Sequence, residues 1–189
     1  MQQIIRLLQE ENREPVTGLL LNLEQKHLDD VETHWREPLR LYQQQDKLWD
    51  WSFKRSLSLR RTDCESYAIE CNGQTQGLMS IETQGRFSQW SRGQPIVYIQ
   101  ALATAPWNRR SIRRPAKFRG VGRTLLLFAQ QRSLELKYEG RVGLHALRQV
   151  EVFYENQGMM RFDPDPDEYF DPEDPPLTYF EYPPFTPDR

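Results

Sequence analysis

Apolar and polar positions alternate, or recur at helical spacing, along most of this chain, and the period decides which element each stretch predicts. Gln2–Gln9 is compatible with a first strand or with a helix start, and its periodicity does not choose between them. Across Val16–Tyr42, Leu19, Leu20, Leu23, His27, Val31 and Trp35 recur at helical spacing, so a helix is predicted there, with Pro38 ending or bending it. Leu48–Leu59 reads as a further short helix or an irregular aromatic segment. Ser66–Cys71 and Gly77–Thr83 alternate around Asn72-Gly73 and predict a hairpin, with a loop of several residues running to Gln76. Pro95–Ala103 reads as a largely buried strand, Val121–Lys137 as a helix with a broad apolar face, and Arg141–His145 as a short strand. Arg148–Asn156 follows as a helix closed by Gly158. Asp163–Pro176 is acidic and proline-rich and reads as a loop, and Leu177–Tyr182 as a last strand. The order predicts an α/β fold with a mixed sheet.

A length of 189 residues suits one domain with a single core, spanning 1–189 with an acidic loop at 163–176 and a tail at 183–189. No segment has the apolar length of a membrane span. Residues 1–14 mix apolar and charged positions without a signal-peptide core. Two cysteines, Cys64 and Cys71, read as a reduced pair, and a cytoplasmic location is expected. His27 and His34 could share a helix face, but no third ligand is evident, so no metal site is expected.

The net charge of -2 gives no global argument for nucleic acid. Its distribution is uneven. Arg109, Arg110, Arg113, Arg114, Lys117, Arg119 and Arg123 crowd a stretch without acids, and Asp163–Asp174 is acidic without a base. A local cationic loop suits a small polyanion better than a long one. The plain reading is a solvated loop; the functional one is a clamp on a phosphate or on an acidic substrate.

Inside that loop, Lys117-Phe118-Arg119-Gly120-Val121-Gly122 leads from a strand into the long helix. Glycines let the backbone approach a ligand, and the first helical amides lack internal partners and carry the positive end of the helix dipole. Gly-x-Gly alone is a weak signal, lacking the third glycine of a dinucleotide fingerprint and the Gly-Lys-Ser/Thr of a P-loop.

The ordered set is more specific. Ala101–Pro106, the turn Lys117–Gly122, the helix after it and Val152–Met159 together resemble the GCN5-related N-acetyltransferase (GNAT) family. That family's signature is Gln/Arg-x-x-Gly-x-Gly/Ala, followed later by Phe-Tyr-x-x-x-Gly-Phe. Lys117 takes the Gln/Arg position; Gly120, Gly122, Phe153, Tyr154 and Gly158 match; Met159 replaces the last aromatic. The resemblance covers about residues 66–162.

It implies a mixed, mostly antiparallel GNAT-type sheet flanked by helices, and an N-acetyltransferase using acetyl-CoA as co-substrate. Leu102, Ala103 and Thr104, with Lys117, Phe118, Arg119, Gly120, Val121, Gly122, Arg123 and Thr124, are the implied cofactor-binding residues. Amides of Arg119 to Thr124 would bind the pyrophosphate, Gln100–Thr104 would pair with the pantetheine arm, and the Leu102 amide would hold the oxyanion. Tyr154 would protonate the leaving thiolate, which a phenol protonated at neutral pH can do.

Three departures accompany the match. Gln100 stands near the place where members often carry a basic glutamate, and glutamine cannot be a base. Leu147 replaces a frequent asparagine, and the arginine-rich loop is long. Glu82 and His145 are substitute bases, or the amine arrives neutral; their plain readings are a strand's solvent face and a packing residue. Trp49 and Trp51 lie where the family shapes its acceptor pocket. The acceptor is an amine on a small molecule, peptide or protein. A non-catalytic acyl-CoA-binding or partner-binding module on the same fold is the alternative, and an RNA- or DNA-contacting protein using Arg109–Arg123 is a third reading.

Overall fold

The computed structural model describes residues 1–162 and 177–183. The expected loop at 163–176, and the tail from residue 184 onward, lie outside the described residues. Close contacts divide the chain into two compact units, Met1–Ile81 with Ala101–Leu127, and Glu82–Gln100 with Phe128–Arg189.

The first unit holds β1 (Gln2–Gln9), β2 (Pro15–Asn22), β3 (Cys64–Cys71), β4 (Gln74–Glu82) up to Ile81, the part of β5 (Val97–Thr104) from Ala101 onward, and β6 (Phe118–Arg119). Their order is β6-β1-β2-β3-β4-β5. The β6/β1, β1/β2 and β2/β3 pairs are antiparallel. The helices are α1 (Gln25–Asp30), α2 (Arg36–Leu41), α3 (Trp51–Arg60) and α4 (Val121–Glu135).

Successive strand residues face opposite sides, which explains why one sheet carries helices on both. Ala68 of β3 and Leu78 of β4 join Ala101 and Ala103 of β5 in a cluster with Leu28, Leu39 and Trp51 from α1, α2 and α3. Gly77, next to Leu78, faces α4 instead. A Cβ there would sit 2.6 Å from Val121 Cγ1, 3.2 Å from Leu125 Cδ1 and 3.3 Å from the Ala103 carbonyl oxygen. Only a glycine lets the start of α4 lie that close to β4.

The expected helix over Val16–Tyr42 is corrected: its start, up to Asn22, is β2, and helix begins only at Gln25. Consecutive leucines at 19–21 fit a helical period and a strand equally well. Contacts remote in sequence decide, because a Cβ at Gly18 would lie 2.8 Å from the Glu70 carbonyl oxygen of the neighbouring strand. Pro38 does not end the helical run. A π-helical turn at Val31–Trp35 leads directly into α2, and Pro38 lies within that continuous run. The hairpin loop is shorter than expected. Asn72 and Gly73 both have positive φ, 53° and 72°, as a two-residue type I′ turn requires, so β4 starts at Gln74. The polar Thr75 and Gln76 read as loop in the sequence, but both are fully buried, and Asp30 accepts from the Thr75 amide and hydroxyl.

The second unit contains β7 (Val142–Ala146), α5 (Glu151–Asn156), β8 (Met160–Phe162) and β9 (Thr178–Glu181), in the order β5-β7-β9-β8. The β7/β9 and β8/β9 pairs are antiparallel, whereas β5 and β7 are parallel. The sheet is therefore mixed and mostly antiparallel, as expected. Strands β6 and β8 escaped the sequence reading because they are two and three residues long. Glu181 is fully buried and accepts from the Ser88 hydroxyl, the Gln89 amide (2.9 Å) and the Tyr179 hydroxyl (3.0 Å), which ties the segment after β4 to β9.

Gly77→Ala should destabilise the protein by about 1–3 kcal/mol, the usual cost of overpacking against a short branched side chain. Thermal unfolding measures it; an unchanged midpoint would mean that β4 and α4 separate freely.

Candidate functional site

The turn before α4 is held at both ends by one buried carboxamide. Gln76 Oε1 accepts from Trp107 Nε1 at 2.8 Å and from Asn108 Nδ2 at 3.0 Å, and the Gln76 carbonyl accepts from the Ala105 amide at 2.9 Å. Asn108 Oδ1 in turn accepts from the Phe118 amide at 3.0 Å, and the Trp107 carbonyl accepts from the Lys117 amide at 2.8 Å. The segment between is tied to the first hairpin: Glu10 accepts from the Ala116 amide and from Arg110. β6 adds its two residues to the edge of β1.

The arginines divide into two sets. Arg109 donates to both carboxylate oxygens of Asp46 at 2.7 and 2.6 Å and to the Thr104 carbonyl at 2.9 Å; its side chain is 15% exposed and that of Asp46 7%. Arg110 pairs with Glu10. Neither is a clamp waiting for a ligand, and that reading of the whole cluster is corrected for them. Arg113, Arg119 and Arg123 are exposed and make no ion pair among the described residues. The Lys117 ammonium bonds to Gln74 Oε1 at 3.2 Å and lies over the Trp107 and Phe118 rings.

Past this anchor the chain opens. Gly120 is exposed with φ of 90°, and a Cβ built on it would meet nothing within 4 Å. The Thr124 amide donates to the Gly120 carbonyl at 2.8 Å and closes the first helical turn. Among the described residues nothing accepts from the amides of Val121, Gly122 or Arg123. Of the candidates Lys117 to Thr124, these three present unengaged donors at the positive end of a 15-residue helix, whereas the Lys117 and Phe118 amides are already used.

Leu102, Ala103 and Thr104 lie on β5, with Ala103 buried and the other two half-buried. β5 pairs with β7 only from Val97 to Ile99 but itself runs on to Thr104. Gln100 occupies the first position past that pairing.

In the second unit Tyr154 is buried in α5 and packs on Phe153 and Phe180, with ring centroids 5.1 and 5.8 Å away. Gly158, at φ of 81°, closes the helix end as expected. Glu82 is not on a solvent face: its side chain is 10% exposed and accepts from Arg86 Nε at 2.7 Å. The Arg86 guanidinium lies 4.6 Å from the Tyr98 ring centroid, and the Tyr98 hydroxyl is 2.7 Å from His145 Nδ1. His145 faces Tyr179 across β7 and β9, centroids 5.1 Å apart. Glu82 and His145, chosen separately from the sequence, thus belong to one polar string, whose linking members Arg86 and Tyr98 the sequence did not signal. Burial and the Arg86 cation push His145 below the ordinary histidine range, and burial pushes Tyr98 above the ordinary phenol range.

Other candidates fall elsewhere. Trp51 is core and Trp49 packs on its edge at 6.1 Å. His27 is buried: its Nδ1 accepts the Glu24 amide, so Nε2 carries the proton and donates to Glu70, while His34 is exposed. The two histidines share no face. An open hollow of about 390 Å³ is lined by Ser88, Gln89, Arg92, Gly93 and Phe162, none of them a candidate.

No family model and no curated protein matches the sequence. Solved structures do. PaiA N-acetyltransferase from Thermoplasma acidophilum, in complex with coenzyme A, is 14% identical over 87% of this chain and 98% of its own, with a TM-score of 0.54. An acetyltransferase from Streptococcus agalactiae is 17% identical over 87% of this chain and 97% of its own, at 0.55. The AAC(6')-Iy enzyme, in complex with a coenzyme A bisubstrate analogue, is 14% identical over 81% and 95%, at 0.54. These likenesses establish the fold: the chain has the GNAT fold of N-acetyltransferases, as its motifs imply.

Arg109→Ala should cost about 3–5 kcal/mol, because it strands the buried Asp46 carboxylate, whereas Arg113→Ala should stay within about 0.5 kcal/mol. Denaturant unfolding separates the two; equal effects would return Arg109 to the solvated loop.

Proposed function

We propose that this chain is an acyl-CoA-dependent N-acyltransferase that moves an acetyl group from acetyl-CoA directly to a primary amine. The observation that carries the proposal is the start of α4, where Gly120 and Arg123 are exposed and flank the buried Val121 and Gly122. Three unengaged amides lie beside an exposed glycine, on a fold shared with proteins crystallised with coenzyme A. A diphosphate satisfies such amides and gains from the helix dipole, and the exposed Arg119 and Arg123 add charge.

In this reading Val121, Gly122 and Arg123 hold the pyrophosphate, and the β5 backbone past Ile99 serves the pantetheine arm. The amine nitrogen attacks the thioester carbon, and the Leu102 amide holds the resulting oxyanion. The carbon–sulfur bond then breaks, and the thiolate takes a proton from Tyr154. The amine loses its proton to a base drawn from Glu82 or His145. The acceptor is a small molecule, a peptide or a protein amine. Gln100, in place of a glutamate, favours a second reading, a binder of acyl-CoA that does not turn it over; binding without thiol release across a broad amine panel would select it.

Calorimetry should show acetyl-CoA binding at micromolar concentrations, and its absence at high micromolar concentration would sink the proposal. Tyr154→Phe should lower kcat by about 10²-fold or more and leave acetyl-CoA affinity within about twofold, the pattern of a group acting only in the chemical step. Unchanged turnover would remove Tyr154 from the mechanism.

A further inference from the structure

We propose that His145 takes the proton from the acceptor amine, and that Glu82, Arg86 and Tyr98 are positioning residues that set its orientation and charge. The proposal rests on the acyltransfer reading above and chooses between that reading's two bases.

Three observations separate them. Glu82 is buried and its carboxylate already accepts from Arg86, so accepting a proton would weaken that ion pair. His145 is exposed, and among the described residues its Nε2 has no hydrogen-bond partner. The Tyr179 hydroxyl donates to Glu181, so among the described residues Tyr98 alone bonds the imidazole.

Orientation comes from Tyr98. The proposal requires the tautomer in which Nδ1–H donates to the Tyr98 oxygen, which leaves the Nε2 lone pair to take a proton. The proton leaves the acceptor ammonium and forms an N–H bond at Nε2; the neutral amine keeps its electron pair for attack. The imidazolium then returns the proton to solvent.

Charge comes from the groups around the ring. They are Tyr98 from β5, Tyr179 from β9 with Glu181 behind it, and Arg86 with Glu82 from the end of β4 and the segment after it. Arg86 is the one cation among them. It disfavours a second positive charge on the imidazole, and Glu82 offsets part of that effect. Part burial is the larger influence and the Arg86 cation the second, and both favour the neutral ring, the form a base must have. A histidine that merely packs has no need of a cation and a carboxylate in series behind its hydrogen-bond partner.

The string predicts opposite signs from adjacent changes. Removing the cation (Arg86→Gln) should raise the His145 midpoint, and removing the carboxylate (Glu82→Gln) should lower it, each by at least about half a pH unit. Arg86→Lys keeps the charge and should restore it. Proton NMR of the imidazole C–H resonances reads these midpoints directly: the chain has 3 histidines, and His145→Gln assigns the signal. In thiol-release assays the acid limb of kcat/KM should move with the same signs, and Tyr98→Phe should lower kcat more than it raises KM. Midpoints that shift together, or not at all, overturn the string. Midpoints that shift while the acid limb stays fixed overturn His145 as the proton acceptor. Failure of the wild type to bind acetyl-CoA overturns the acyltransfer reading instead, and the NMR titration still judges the string.

Discussion

The Gln76 side chain is the constraint on which the first unit's architecture turns. It is fully buried on β4, and its oxygen accepts from Trp107 and Asn108 while its amide donates to the Gln74 carbonyl at 3.1 Å. Through Asn108 the same anchor reaches Phe118, so one carboxamide governs both ends of a loop ten residues long. Without a partner it would be a costly buried amide. With all its groups engaged it fixes where the chain re-enters the sheet and where α4 begins. Gly77, the next residue, admits the start of α4 against the opposite face of β4. Two consecutive residues thus position the turn in which Gly120 opens.

The parts of this arrangement that depend on neighbours in sequence were legible there. The glycine turn, the long amphipathic helix and the Tyr154 helix closed by Gly158 each carry a local cause: backbone freedom, a 3.6-residue period, a left-handed cap. The parts set by remote contacts were not. Gly18 forms strand because Glu70 passes within reach of its α-carbon, and Thr75 and Gln76 form strand because Asp30 and the basic loop satisfy them. The arginine run looked uniform as a sequence, yet Asp46, 63 positions away, takes Arg109 out of solvent and leaves Arg113 in it. Charge spacing alone cannot tell a structural guanidinium from a free one.

The candidate bases show the same limit at the level of chemistry. Glu82 and His145 are far apart in sequence, and only cross-strand geometry reveals that Arg86 and Tyr98 link them in one string of contacts. That geometry also reverses their standing. The carboxylate, the more obvious base by residue type, is buried and committed, while the imidazole at the exposed end has an unengaged nitrogen.

In the proposed reading the two units meet different electrostatic demands. A diphosphate is charged before and after the reaction, so the groups that hold it should be permanent. Helix amides and guanidiniums meet that condition. A proton acceptor must change charge once per turnover, so its surroundings have to hold both states within reach. A lone cation beside His145 would make protonation too unfavourable, and a lone carboxylate would make release too slow. Arg86 and Glu82 in series give an intermediate field that neither supplies alone. In that reading the negative charge absent at Gln100 is supplied by Glu82, which reaches the imidazole through Arg86 and Tyr98.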